Sequence, residues 1–166
     1  MSAPLHPRSE GSAVQGAAAA AGALWVTGRS AINPWDCDQW GHMNVQYYLA
    51  KASDAQAVLA ARLGLSPSRL RAAGCRPLPV ADRILFKREL RAGDIYFIHS
   101  GVRSISAQGT LDIASRMVNS LTGVEAAAFE TRLAWADPDF TNALAWPDDV
   151  LAAAQAASGE LPDAPP

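Results

Sequence analysis

A chain of 166 residues, 49% hydrophobic and 18% charged, suits one globular domain with a core large enough to need neither disulfides nor a structural metal. A formal net charge of −2 leaves no electrostatic footprint for nucleic acid or an anionic membrane, so neither is expected as a partner. Two cysteines, Cys37 and Cys75, and three scattered histidines, His6, His42 and His99, make no disulfide framework and no metal-ligand spacing, and no metal site is expected.

Residues 1–22 are mostly Pro, Ser, Gly and Ala. They offer too little apolar surface to offset the entropy of ordering, and a disordered arm is expected. A signal-peptide reading of residues 8–23 fails: the segment has alanines where a Leu/Val/Ile-rich centre is needed, and it contains Glu10. No apolar run reaches membrane-span length, so the cytoplasm is the expected location. Residues 24–32 read as a strand, with Trp25 and Val26 favouring it. Asn33-Pro34 marks a turn, and a polar loop follows over 36–41.

Asn44 then stands as a helix cap. Val45, Tyr48, Leu49, Ala52, Leu59 and Leu63 recur at helical spacing, while Ala50, Ala57 and Ala60 leave little polar surface elsewhere. That pattern predicts a helix over 44–63 that is nearly fully buried, closed by Gly64. Ser66-Pro67 opens a short second helix to about residue 73. Four strand-like segments come next, over 80–90, 94–105, 110–120 and 124–136. Turns at Gly93-Asp94, Gln108-Gly109 and Thr122-Gly123 separate them. A terminal helix over 147–154 and a loose Pro-containing tail from 158 complete the chain. One strand, one long helix and four hairpin-linked strands make an α+β pattern, satisfied by an antiparallel sheet wrapped around a single apolar helix.

Chemistry concentrates between residues 34 and 48, PWDCDQWGHMNVQYY. Asp36 and Asp38, two apart, share a side if the chain is extended. Gly41 permits a tight turn or close approach to a ligand, and His42 adds a side chain of a type that can titrate near neutral pH. Asn44 would leave the N–H groups of Val45 and its neighbours at the positive end of a helix, where they could hold the oxygen of a thioester carbonyl. A carboxylate beside such donors is a hydrolytic arrangement, with base or nucleophile on one side and oxyanion donors on the other. The plainer alternative makes the aspartates caps and Gly-His a turn. Two carboxylates would raise the pKa of Cys37, which therefore reads as a small packed residue, as does Cys75.

The string D-C-D-x-x-G-H-M-N-x-x-x-Y, carried by Asp36, Cys37, Asp38, Gly41, His42, Met43, Asn44 and Tyr48, resembles the signature of the hotdog thioesterase superfamily. It is similar to the branch of 4-hydroxybenzoyl-CoA thioesterase and bacterial acyl-CoA thioesterases. The helix ending in Leu-Gly-Leu, residues 87–94 and residues 117–127 extend the likeness over about residues 24–136. The resemblance implies a five-stranded antiparallel sheet around one helix, with the domain over 23–137 and a C-terminal extension over 138–166. It implies a homodimer or homotetramer with active sites between protomers, and hydrolysis of an acyl-CoA without a cofactor, CoA being part of the substrate. Asp38 matches the catalytic carboxylate and the Val45 N–H the oxyanion donor. Asp36 matches a structural position, and His42 and Asn44 match polar positions that fix the loop. Gly41, Tyr48, Trp40, Arg88 and Arg91 are the candidate substrate-binding residues, the arginines and Lys87 for CoA phosphates. Trp35 and Trp40 would narrow or stack on the acyl group, or else pack in the core or an interface. Alternatives on the same fold are a non-catalytic acyl-thioester binder and a dehydratase or hydratase, whose longer His-and-carboxylate motif is not visible in the sequence.

Overall fold

The apolar segments pair as one antiparallel sheet in the computed structural model, which describes residues 22, 24–107 and 109–159. The expected arm, apart from Gly22, and the tail from residue 160 lie outside them, as does Gln108 of an expected turn. Strand β1 (Trp25–Ala31) leads through the loop to helix α1 (Val45–Arg62) and the short α2 (Pro67–Ala73). Strands β2 (Arg76–Phe86), β3 (Ile95–Ile105), β4 (Leu111–Asn119) and β5 (Glu125–Ala136) follow, then a two-residue β6 (Ala143–Leu144) and helix α3 (Asp148–Ala157). The order across the sheet is β1-β3-β4-β5-β2, with β6 added beside the end of β5. This is the hotdog arrangement, with β6 as an addition to the five expected strands.

Local chemistry accounts for the turns. Asn119 Oδ1 accepts the N–H groups of Leu121 and Thr122, and Gly123 takes a φ of 69°, which closes the β4–β5 hairpin. Ser66 caps α2 through the Arg69 N–H, with Pro67 at the first helical position. Strand β2 departs from expectation: it begins at Arg76, crosses Pro77 and Pro79, and ends at Phe86 rather than 90. Proline removes a backbone donor, which is tolerated because β2 is an edge strand. Beyond it the N–H groups of Lys87 and Arg88 converge on the Ala126 carbonyl, and the ladder stops.

Helix α1 lies on one face of the sheet and joins two apolar clusters. Toward its start, Tyr48, Ala52 and Ala55 pack with Ile98, Met117 and Phe129. Toward its end, Leu59, Ala60 and Leu63 pack with Val102, Leu111 and Trp135, and here α3 contributes Val150 and Ala154. Each fully buried Leu or Val side chain contributes about 1.5–3 kcal/mol. The expectation of a nearly fully buried helix is corrected: of α1, only Tyr48, Ala52, Ala55, Leu59 and Ala60 are buried within one chain. Val45, Leu49 and Val58 are exposed. The alanines that mimic a buried helix in the sequence are small enough to lie in solvent at little cost.

His99 is buried on β3 with its Nδ1 unpartnered among the described residues, and burial pushes its pKa below the ordinary 6.5. Trp146 anchors the segment before α3. It lies 5.4 Å from the Trp135 ring, and its indole N–H donates to the Gly109 carbonyl at 2.7 Å. Trp146→Ala should therefore cost about 3–5 kcal/mol in denaturant unfolding, the scale for a buried aromatic. A loss below about 1 kcal/mol would show that α3 is not part of the core.

Candidate active site

The loop from β1 to α1 takes its shape from a buried carboxylate. Pro34–Asp36 forms a single 3-10 turn, and Asp36 at its end is 3% exposed. Its Oδ2 accepts the Asn33 N–H and the Lys51 ammonium, both at 3.1 Å. Its carbonyl accepts the Asn44 N–H at 2.9 Å. Burial by itself pushes this carboxyl up, but the Asn33 N–H and Lys51 outweigh it and hold Asp36 below its ordinary 3.8. Asp36 thus joins the end of β1 to both the cap and the body of α1.

Asp38 has separate partners, so the two carboxylates do not act as a pair. One oxygen, Oδ1, accepts the Trp40 N–H at 2.8 Å and the His42 N–H at 3.4 Å. The same turn is closed by the Asp38 N–H on the His42 carbonyl and the Gly41 N–H on the Asp38 carbonyl. Among the described residues nothing engages Oδ2, and the side chain is partly exposed. Gly41 has a φ of 78° and nothing within 4 Å of where a Cβ would stand. The turn, rather than a close approach, requires glycine there.

Asn44 caps α1, its Oδ1 accepting the Gln46 N–H at 3.1 Å. The first N–H groups of a helix have no acceptor within it. That of Val45 finds none among the described residues and stands open at the positive helix end. Beside it is a cavity of about 260 Å³, walled by His42, Val45, Tyr48, Phe86, Lys87 and Arg88 among others. Tyr48 is 4% exposed, its ring edge-on to Phe86 at 5.2 Å. Burial pushes its phenol pKa upward, so it is neutral at physiological pH.

The remaining expected residues divide. His42 Nε2 lies 3.0 Å from Glu89 Oε2 and 3.1 Å from an Arg91 nitrogen, so Arg91 is held against the loop. Arg88 is exposed and bonds the Lys87 carbonyl. Lys87 pairs with Glu125 at 2.9 Å. Packing of Trp35 and Trp40 in the core is corrected: they are 72% and 75% exposed, because both sit on the outer side of a loop whose inner side is taken by Asp36 and Cys37. The sequence reading missed Lys51 and Glu89. Lys51 stands in a helix that also carries Gln46, Asp54 and Gln56, so no local signal marks it, and Glu89 gives none until the fold brings it to His42. Among the described residues no group of His, Cys, Asp and Glu could hold a metal ion, and no helix is long and apolar enough to cross a membrane.

The family model of the thioesterase-like superfamily matches residues 32–154. No curated protein matches the chain. Among solved structures, a hypothetical protein from Staphylococcus aureus in complex with CoA is 15% identical, with a TM-score of 0.76, over 89% of this chain and 91% of that one. A 1,4-dihydroxy-2-naphthoyl-CoA thioesterase from Synechocystis is 14% identical, with a TM-score of 0.69, over 80% and 96%. A probable thioesterase from Escherichia coli is 17% identical, with a TM-score of 0.66, over 81% and 100%. At these identities the likeness is one of fold.

Asp36→Asn should cost about 1–3 kcal/mol at pH 6, as a buried network loses its charge. The sign follows from the depressed pKa. The stabilisation is full above the unfolded value and is lost as pH falls through the lower folded value. Denaturant unfolding of both proteins should therefore converge as pH drops below 3.8. A gap that persists undiminished at low pH would mean that the Asp36 charge does not hold the loop.

Proposed function

Because the chain belongs to the thioesterase-like superfamily, we propose that it is an acyl-CoA thioesterase, converting a thioester and water to a free acid and CoA. The observation that carries the reading is one short loop with a carboxylate oxygen unengaged on Asp38 and an open N–H on Val45 at its far end. The Val45 N–H would stabilise the oxyanion that forms as the thioester carbonyl is attacked. Asp38 would either take the proton from the attacking water or attack the carbonyl itself, giving a mixed anhydride that water then opens. CoA leaves as the thiolate and is protonated. His42 and Asn44 hold the loop and the helix cap, and Lys87, Arg88 and Arg91 offer cations to CoA phosphates. The reaction calls for no cofactor.

The site in this reading is completed by a second copy. Edge strand β2 has unpaired backbone groups and exposed Val80, Leu85 and Phe86, and the face of α1 beside it exposes Val45 and Leu49. Pairing β2 with its copy would cover both, giving a homodimer or a pair of such dimers. Light scattering at micromolar concentration should give at least twice the chain mass. A clean monomer would remove this assembly.

A second reading is a hydratase or dehydratase of the same fold. It is favoured by the His42–Glu89 contact, a histidine and a carboxylate from separate segments on the cavity wall. Against it, the Arg91 guanidinium competes for the same ring nitrogen. Asp38→Asn separates these possibilities. It keeps the size and the loop hydrogen bonding but removes basicity, and thiol release from an acyl-CoA panel should fall at least ~10²-fold with thermal stability retained. Near-normal turnover in a folded variant would reject Asp38 as the reacting group. Absence of thiol release in the parent protein, with hydration of an enoyl-CoA, would bring the second reading forward.

A further inference from the structure

A second cavity, of about 230 Å³, lies farther along the same cleft between α1 and β2. The first cavity uses Val45 and Tyr48 of the helix and Phe86 of the strand. The second uses Leu49, Ala52 and Gln56 of the helix and Ile84 and Asp82 of the strand, with Thr131 beneath. Successive helical turns and alternate strand residues thus line one trough, which starts at the open Val45 N–H. From Val45 to Gln56 is a rise of about 16 Å along the helix.

Past a mouth that carries His42, Lys87, Arg88 and Glu89, the trough wall is mostly apolar, with Tyr48, Leu49, Ala52, Ile84 and Phe86, and its far end is polar. Gln56 Nε2 donates to Thr131 Oγ1 at 2.8 Å, and Thr131 donates to Asp82 Oδ1 at 2.6 Å. The direction of this chain is forced. An ionised Asp82 can only accept, so the single hydroxyl proton of the buried Thr131 goes to it, and Thr131 oxygen must then accept from the Gln56 amide nitrogen. What remains unengaged among the described residues is Asp82 Oδ2, a carboxylate oxygen, together with Gln56 Oε1 and the second Gln56 amide N–H. The arginines nearest Asp82 in the chain fold are committed elsewhere: Arg83 and Arg103 to Glu130, and Arg132 to Asp112. An apolar trough that ends on a carboxylate with no cation of the described residues on it favours a ligand with an apolar body and a donor at its tip.

The geometry points to an acyl group whose far end carries a hydroxyl or amine, seated between α1 and β2 with that donor on Asp82 and Gln56. This rests on the thioesterase reading for its placement of the thioester at Val45. Dimerisation through β2 would close the open side of the trough over such a group.

The test compares dodecanoyl-CoA with its ω-hydroxy and ω-amino analogues, using the full chain. Calorimetric binding and thiol release are measured side by side. An ω-substituted analogue should bind at least about tenfold tighter, the scale of one hydrogen bond to a charged acceptor. In Asp82→Asn the Thr131 proton keeps an oxygen to bond, but the free position becomes an NH2 donor, which a hydroxyl can still meet by accepting and an ammonium cannot, so the ratio between the ω-amino analogue and dodecanoyl-CoA should fall toward one. Thr131→Val, which frees the Gln56 amide from its fixed direction, should lower it too and serves if the first variant does not fold. Equal or weaker binding of both analogues to the parent protein overturns the inference, as does a ratio unmoved in folded variants. Preferential binding without any thiol release would count against hydrolysis while upholding the trough.

Discussion

The loop between β1 and α1 depends on the contact between Asp36 and Lys51. A buried charge is costly unless it is paired and hydrogen bonded. The Asp36 carboxylate meets that condition through Asn33 at the end of β1 and Lys51 two turns into α1, while its backbone carbonyl takes the Asn44 N–H at the helix cap. Those contacts determine where α1 begins, and hence that the Val45 N–H is the one left open. They also explain why Asp38, two residues on, is turned outward: the inner side of the loop is already filled.

The packing of α1 follows a second logic. Its contacts with the sheet near the site are made by Ala52 and Ala55, which let helix and sheet approach closely without filling the space at the flank toward β2. Larger residues there would have given a tighter monomer core and no trough. At the other end, Leu59 and Leu63 pack with Trp146 and with Val150 and Ala154 of α3. One end of the helix is built to be held fast and the other to receive something.

Much of the fold was legible in the sequence. The helix period after Asn44, the Ser66-Pro67 start and the Gly-containing turns placed most elements within a residue or two. What was not legible had physical causes. Strand β2 was begun too late because proline argues against a strand unless the strand is known to be an edge, which is a property of the assembled sheet. Helix α1 was read as enveloped because alanine is compatible with either environment. In the site, a two-residue spacing alone suggests that Asp36 and Asp38 share a side, whereas they have separate partners. The 3-10 turn at Pro34–Asp36 breaks that alternation. Glu89 and Lys51 reach the loop only through tertiary contacts that no local pattern encodes.

The prolines of β2 also bear on how this protein stays out of trouble. An uncovered edge is a template on which any extended chain can add itself, and long flat ones seed fibrils. Pro77 and Pro79 have no N–H to offer, and the pairing of β2 with β5 shifts register just after them. The free edge is therefore interrupted over its first residues and continuous only from Val80 to its end at Phe86. A short stretch of that kind can be satisfied once, by one matching neighbour, and then presents nothing further to extend. The same two residues that hid the strand from a sequence reading thus act as a limit on growth.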